Sequence, residues 1–181
     1  MDLIEGCRRT MDGALAQVRA VTSADHDRPT PCSEWNARQL IEHMTGTNAM
    51  IAQAIDPGAV GAAAADPVGA YEGSVQAMVA ATGQAGLMDQ KLTLPFGEMP
   101  APGALALAIT DQLIHTWDLA RALGKPCVLD ADLCETALGF MQASMRPEFR
   151  GEGKGFGPEV SVAANASVQD RMLGFSGRDP S

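Results

Sequence analysis

The sequence predicts a mainly α-helical protein: a bundle of long helices, a small β element and a short terminal helix. Apolar residues recur at three- and four-residue steps over long stretches of the chain. Glycine and proline, which stop helices, fall between those stretches. The 181 residues are 46% hydrophobic but only 4% aromatic, which predicts an aliphatic core of a size that suits one domain spanning residues 1–181.

The first two helices have clear boundaries. The first runs from Leu3 to about Val21, and residues 23–35, with two prolines, form a loop. The second runs from about 37 to 55, because Asn36 and Gln39 have the spacing of a capping box and Asp56-Pro57-Gly58 ends the apolar periodicity.

The middle of the chain predicts a third helix and a small hairpin. Residues 58–65 are rich in alanine and glycine and form a loose crossover before Asp66 and Pro67, which start the third helix as N-cap and first residue. Residues 91–95 alternate polar and apolar like a strand, and residues 96–100 read as a turn. We therefore expect a hairpin or an edge strand here.

The fourth helix, from about Gly103 to Leu123, is apolar around most of its circumference, so we expect it to be the most buried. Asp130 then caps a fifth helix that ends before Pro147. The tail contains a glycine-rich loop at 151–157, a short strand at 159–162 and a last short helix with Val168, Met172 and Leu173 inward.

Charge and hydropathy exclude several classes of function. The formal net charge is −9, and no Lys or Arg lies between Arg38 and Lys91, so a basic groove for nucleic acid is not expected. No apolar run approaches the ~18 residues that span a bilayer. The N-terminus places acids before its first arginines and has no apolar stretch after them, unlike a signal peptide. These features predict a cytoplasmic protein without nucleic-acid or membrane partners.

Two of the three histidines lie within predicted helices beside possible partners. Asp111 and His115 are four residues apart, about 40° around one helix, and Asp118 lies about 20° to the other side. His43 points to the packed side of the second helix and meets them if the two helices are antiparallel neighbours. Two imidazoles and one carboxylate would supply three ligands and leave a position open, which is the composition of catalytic rather than structural metal sites, and the same set also suits non-haem iron or nickel.

A structural interpretation competes with this one: Asp111 and His115 form an ordinary helical ion pair near Arg121, and His43 is a hydrogen-bonded core histidine. The third histidine, His26, lies among charged loop residues and is expected to be solvated. In the metal hypothesis, Asp118 together with Arg121 orients His115 or braces the helix.

Two tryptophans and one cysteine are further candidates for the site. Trp35 and Trp117 are expected to anchor helix ends in the core, with lining of the pocket as the alternative. None of the four cysteines forms a Cys-x-x-Cys pair, so they are expected to be core residues. Cys32 lies four residues before Asn36, where it could approach the site with an acidified thiol.

Three stretches together resemble the actinobacterial branch of the mycothiol-dependent maleylpyruvate isomerase N-terminal domain family, within the DinB/YfiT-like superfamily. They are residues 30–44 (TPCSEWNARQLIEHM), 111–124 (DQLIHTWDLARALG) and 170–180 (DRMLGFSGRDP). The resemblance implies an up-down-down-up four-helix bundle that binds zinc or nickel through the matching residues His43, Asp111 and His115. It also implies mycothiol or a similar thiol as co-substrate, which adds to an electrophilic small molecule in an isomerase or S-transferase reaction.

The sequence departs from the family in two ways. The characterised isomerase has Glu where this chain has Asp111, one methylene shorter, and it carries a second, C-terminal domain for which 181 residues leave no room. A non-catalytic metal- or ligand-binding bundle of the stress-response type is an alternative function, and a metal-free helical scaffold is a third. The first helix and the hairpin are the surfaces on which a homodimer could form.

Overall fold

The structure, a computed structural model, describes residues 1–33, 35–151 and 156–181. Within these residues the chain is mainly helical with one small antiparallel sheet, which confirms the predicted fold class. The two strands are β1 (Lys91–Leu94) and β2 (Gly97–Pro100). The helices are α1 (Leu3–Val18), α2 (Ala37–Ile55), α3 (Pro67–Thr82), α4 (Ala101–Ala122), α5 (Ala131–Ser144) and α6 (Val168–Phe175).

The starts of α2 and α3 follow from their capping residues. The Asn36 side chain accepts a hydrogen bond from the Gln39 backbone N–H at 2.9 Å, and the Gln39 side chain accepts one from the Asn36 N–H at 3.0 Å. Asp66 caps α3 through the Gly69 N–H at 2.9 Å. Because these caps satisfy N–H groups that have no partner within the helix, both predicted starts are confirmed.

The four long helices form a ring: α1 packs on α3 and α4, and α2 also packs on α3 and α4. Asn48 of α2 contacts Ser74 of α3, and Asp56 just beyond α2 lines a cavity with Ala81 near the end of α3. These two helices therefore run in the same direction. Gly6 of α1 faces Ile109 of α4, and further along both helices Thr10 and Leu113 line a second cavity. An up-down-down-up bundle requires two such same-direction pairs.

Helix α4 is buried along most of its length, as its apolar sequence predicts. A polar connection crosses the core beside it: Tyr71 of α3 donates to Gln112 Oε1 at 2.6 Å, and Gln112 Nε2 donates to the Met44 carbonyl of α2 at 3.1 Å. Buried polar atoms are costly without partners, so this connection fixes how α2 and α3 lie against α4. It places residues 43–44 opposite residues 111–112.

Two predicted elements differ from the structure. Residues 96–100 are not all turn: only Pro95 and Phe96 form it, and residues 97–100 are the second strand, with Leu92 opposite Met99. The predicted strand at 159–162 is wrong, because the Val160 N–H bonds to the Gly174 carbonyl of α6 rather than to a strand. Of the predicted glycine-rich loop, residues 152–155 lie outside the described residues.

Across the residues that the structure describes, no helix combines the length and the apolar character needed to cross a membrane.

Candidate metal centre

The side chains of His43, Asp111 and His115 converge between α2 and α4. His43 Nε2 lies 3.0 Å from Asp111 Oδ1, and His115 Nε2 lies 3.6 Å from the same oxygen. The two imidazole rings meet edge to face, with centroids 4.9 Å apart. The structure thus brings together the three residues that the sequence spacing singles out.

The cluster is closed on the α4 side and open on the α2 side. The side chain of His115 is 7% exposed and that of Asp111 is 15% exposed, whereas that of His43 is 31% exposed. Burial by itself would raise the pKa of Asp111, but the imidazoles of His115 and His43 and a hydrogen bond from Thr47 outweigh it. The pKa of Asp111 therefore lies below its ordinary value, and the group is a carboxylate.

A second carboxylate stands behind His115. Asp118 Oδ2 lies 3.0 Å from His115 Nδ1, and the Asp118 side chain is fully buried. Burial would raise the pKa of Asp118, but His115 and the guanidinium of Arg178 lower it below its ordinary value. As an ionised carboxylate, Asp118 accepts a hydrogen bond from His115 Nδ1–H, and in this tautomer the Nε2 lone pair is directed towards Asp111.

This donor set fits a divalent ion. A tetrahedral zinc with bonds of about 2.1 Å places its donors about 3.4 Å apart, and the separations of 3.0 and 3.6 Å lie on either side of that value. His115 Nε2 and Asp111 Oδ1 are both acceptors once Nδ1 carries the proton, so a cation between them is favourable. Three protein ligands leave a position open, and an imidazole backed by a carboxylate is common among metal-binding histidines.

The sequence model described as the mycothiol maleylpyruvate isomerase N-terminal domain matches residues 7–120 of this chain. This chain belongs to the mycothiol maleylpyruvate isomerase N-terminal domain family. The matched region holds His43, Asp111, His115 and Asp118 but not Arg178. The resemblance seen in the sequence is therefore confirmed.

Two relatives from Mycobacterium tuberculosis resemble the chain over its length. They are the uncharacterized proteins MT0763 of strain CDC 1551 and Rv0738 of strain H37Rv. Each is 34% identical over 185 residues, which cover 98% of this chain and 98% of the relative. No solved structure matches the chain.

A second group of donor atoms overlaps the first. Cys32, His115 and Asp118 also present donor atoms within 4.8 Å of one another. Arg178 already pairs with this carboxylate, and its Nη2 lies 3.6 Å from Cys32 Sγ. A divalent ion here would meet a guanidinium at close range, so the set of His43, Asp111 and His115 is the better candidate for a metal centre.

The Cys32 thiol does not have the lowered pKa that its position before α2 suggests. Burial raises its pKa, and Arg178 offsets this only in part. Cys7 and Cys134 are buried and Cys127 is half-buried, and all four thiols are free. Cys32 thus lies at the site as a protonated thiol.

The two tryptophans have different positions. Trp35 stacks on His43, with ring centroids 4.3 Å apart and planes inclined by 27°, so it lines the site rather than only anchoring a helix. Trp117 is buried in the core.

Arg121 does not accompany Asp118, contrary to the prediction. It lies on the exposed flank of α4, with its guanidinium 5.4 Å from the Trp117 ring and Nη2 donating to the Ser181 carbonyl at 3.0 Å. Arg178 from the C-terminal segment takes the expected place. Sequence reasoning missed Arg178 because it is 60 residues from Asp118, although it lies in the tail that resembles the family.

Proposed function

We propose that this protein is a divalent-metal-dependent enzyme that uses a low-molecular-weight thiol, with mycothiol as the natural one. It acts on an electrophilic small molecule, either as an isomerase of the maleylpyruvate type or as an S-transferase. The observation that supports this most directly is the cluster of His43, Asp111 and His115, with Asp118 behind it, inside a member of this family.

In this proposal His43, Asp111 and His115 hold zinc or nickel. A bound divalent cation lowers the pKa of a coordinated thiol, so that the thiol is a thiolate near neutral pH. Asp111 is one methylene shorter than the Glu of the characterised isomerase, but both imidazoles approach the same carboxylate oxygen within 3.6 Å. The shorter side chain is therefore compatible with the same ligand set.

In this proposal the remaining side chains orient the ligand His115 or line the side from which a small molecule approaches. Asp118 holds His115 through Nδ1, so the direction of Nε2 is set by a buried carboxylate. Trp35 and the exposed edge of His43 form the open side, where a small molecule can approach. Cys32 is not the nucleophile in this proposal, because burial keeps its pKa above the ordinary value.

We further propose that residues 1–181 form one domain. We also propose a cytoplasmic location, because a low-molecular-weight thiol stays reduced there and the four cysteines are free.

A turnover assay tests the function. Untagged protein loaded with zinc or nickel is mixed with mycothiol and either maleylpyruvate or a chloronitroaromatic electrophile, and isomerisation or thiol consumption is followed by absorbance. We expect turnover that falls at least about 100-fold in His43→Ala and stays unchanged in the matched control His26→Ala, whose histidine lies in the loop before α2.

Two results would contradict the proposal. Equal turnover in His43→Ala and wild type would remove the metal cluster from the reaction. Metal-loaded protein without turnover for either substrate class would favour the alternative of a non-catalytic metal-binding bundle.

A further inference from the structure

We propose that Arg178 is a positioning residue of the metal centre, so that the C-terminal segment completes a site whose ligands all lie on α2 and α4. The inference rests on the proposed function, since it concerns the orientation of His115 as a ligand. Arg178 acts through Asp118 and does not touch the reacting atoms.

The backbone around α6 fixes where Arg178 lies. The helix ends in a Schellman motif: Gly177 has φ +89°, its N–H bonds to the Gly174 carbonyl at 3.0 Å, and the Arg178 N–H bonds to the Leu173 carbonyl at 2.9 Å. A Cβ on Gly177 would lie 2.7 Å from the Gly157 Cα, so two backbone segments meet here. Arg178 thus leaves the helix from a defined position.

The guanidinium of Arg178 donates two hydrogen bonds to the Asp118 carboxylate. Nη2 donates to Oδ2 at 2.9 Å and Nε donates to Oδ1 at 3.3 Å, while Nη1 donates to the Ser176 carbonyl at 3.1 Å. The Arg178 side chain is 5% exposed and the Asp118 side chain is fully buried. A two-point contact in the interior prevents the carboxylate from rotating.

The contact between Arg178 and Asp118 determines which tautomer His115 adopts. Because both Asp118 oxygens are bound by Arg178, Oδ2 is held 3.0 Å from His115 Nδ1 and, as an ionised oxygen, can only accept a hydrogen bond from it. The Nδ1–H tautomer is then the stable one, and Nε2 faces Asp111 with a lone pair. Without Arg178, the buried carboxylate would lose its two-point contact and would be free to turn away from His115.

The first test measures zinc affinity by competition with a chromophoric chelator. Loss of an outer partner of a metal-binding histidine weakens binding about 10- to 100-fold, and we expect this for Arg178→Met. Arg178→Lys should recover part of the loss, because lysine keeps the charge but not the fork. Arg121→Met is the matched control, since Arg121 also contacts the C-terminal segment but not Asp118, and it should bind like wild type.

A double-mutant cycle separates positioning from general damage. If Arg178 acts through Asp118, Arg178→Met should have little further effect on zinc affinity in an Asp118→Asn background. The double variant carries neither buried charge, so it remains measurable even if Arg178→Met alone fails to fold. An equally large effect in both backgrounds would overturn the inference, and so would wild-type affinity in Arg178→Met.

The second test needs no metal. Long-range ¹⁵N spectra of the imidazoles report the tautomer, and we expect His115 as Nδ1–H in the wild type and in Arg121→Met, with a shift towards Nε2–H in Arg178→Met, where Asp118 is retained. An unchanged tautomer in Arg178→Met would overturn the inference. If wild-type protein binds no zinc, the proposed function fails, while these spectra still decide the role of Arg178.

Discussion

The two histidines of the candidate metal centre are held in place by different kinds of contact. The His115 side chain is 7% exposed, and its Nδ1 is hydrogen-bonded to Asp118. Asp118 in turn accepts hydrogen bonds from Arg178. His43 is 31% exposed and stacks on the Trp35 ring, itself only partly buried. Charge inside the protein fixes the first, and an aromatic contact near the surface supports the second.

This difference separates two requirements of a catalytic metal site. A buried ion pair is costly to assemble, but once formed it holds a ligand in one geometry. A half-exposed histidine costs less to place and leaves room for small molecules to reach the ion. We infer that the closed side defines the geometry and the open side provides access, and each variant below changes one of the two.

The largest effect is expected on the closed side. Asp118→Ala removes the carboxylate that pairs with the buried guanidinium of Arg178, which should lower the free energy of unfolding by about 3–5 kcal/mol. The matched control is Asp132→Ala, because Asp132 also pairs with an arginine, Arg9, but at the surface, where the loss should be small. Urea denaturation of metal-free protein measures both. Equal stability of the two variants would contradict the interpretation of a buried ion pair.

The next largest effect distinguishes the two histidines. His115→Ala removes a buried ring and a partner of Asp118, so we expect the metal-free protein to lose about 1–3 kcal/mol of stability. His43→Ala should cost less than about 1 kcal/mol, because that ring is partly solvated. Both variants should fail to bind zinc. If His43→Ala destabilised the metal-free protein more than His115→Ala, the assignment of closed and open sides would be wrong.

Some parts of this arrangement can be predicted from the sequence, and others cannot. Local chemistry identifies α2 and α3, because the capping box of Asn36 and Gln39 and the Asp66-Pro67 start are formed by adjacent residues. Helical periodicity similarly places Asp111 and His115 on one face, and the spacing of His43 brings it to the same side. These predictions depend only on residues a few positions apart.

Other features depend on contacts between distant segments and could not be predicted. The Val160 N–H finds its partner in α6, so an apolar alternation that resembles a strand pairs with a helix end instead. Arg178 reaches Asp118 across 60 residues of chain, while Arg121, which is near in sequence, faces solvent. The arginine near Asp118 in sequence is therefore not its partner. A fully buried carboxylate requires a buried cation, and here the C-terminal segment supplies it.

A thiol-labelling experiment locates the metal relative to the closed side. Burial raises the pKa of the Cys7 thiol to about 12, and burial with nearby acids raises that of Cys134 to about 12. Their thiolate fractions are therefore negligible at pH 8 and grow only as the pH approaches those values. An aromatic disulfide reagent should label Cys32 and Cys127 first, as mass spectrometry of the labelled peptides would show.

We expect that zinc changes the labelling rate of neither Cys32 nor Cys127, because the proposed ligands include neither thiol. Protection of Cys32 alone would instead favour the set of Cys32, His115 and Asp118.

The smallest expected effect concerns the open side. Trp35 stacks on His43, so nickel at the centre should quench part of the tryptophan fluorescence. Quenching should persist in Trp117→Phe and disappear in Trp35→Phe, since Trp117 lies in the core. Persistence of the full quenching in Trp35→Phe would mean that the metal binds elsewhere.

Metal content of untagged protein tests the central claim most directly. Elemental analysis after equilibrium dialysis against zinc or nickel is compared among wild type, His43→Ala, His115→Ala and the control His26→Ala. We predict about one ion per chain in wild type and in His26→Ala, and none in the other two. Metal-free wild-type protein after dialysis, or an ion retained in both site variants, would contradict a centre formed by His43, Asp111 and His115.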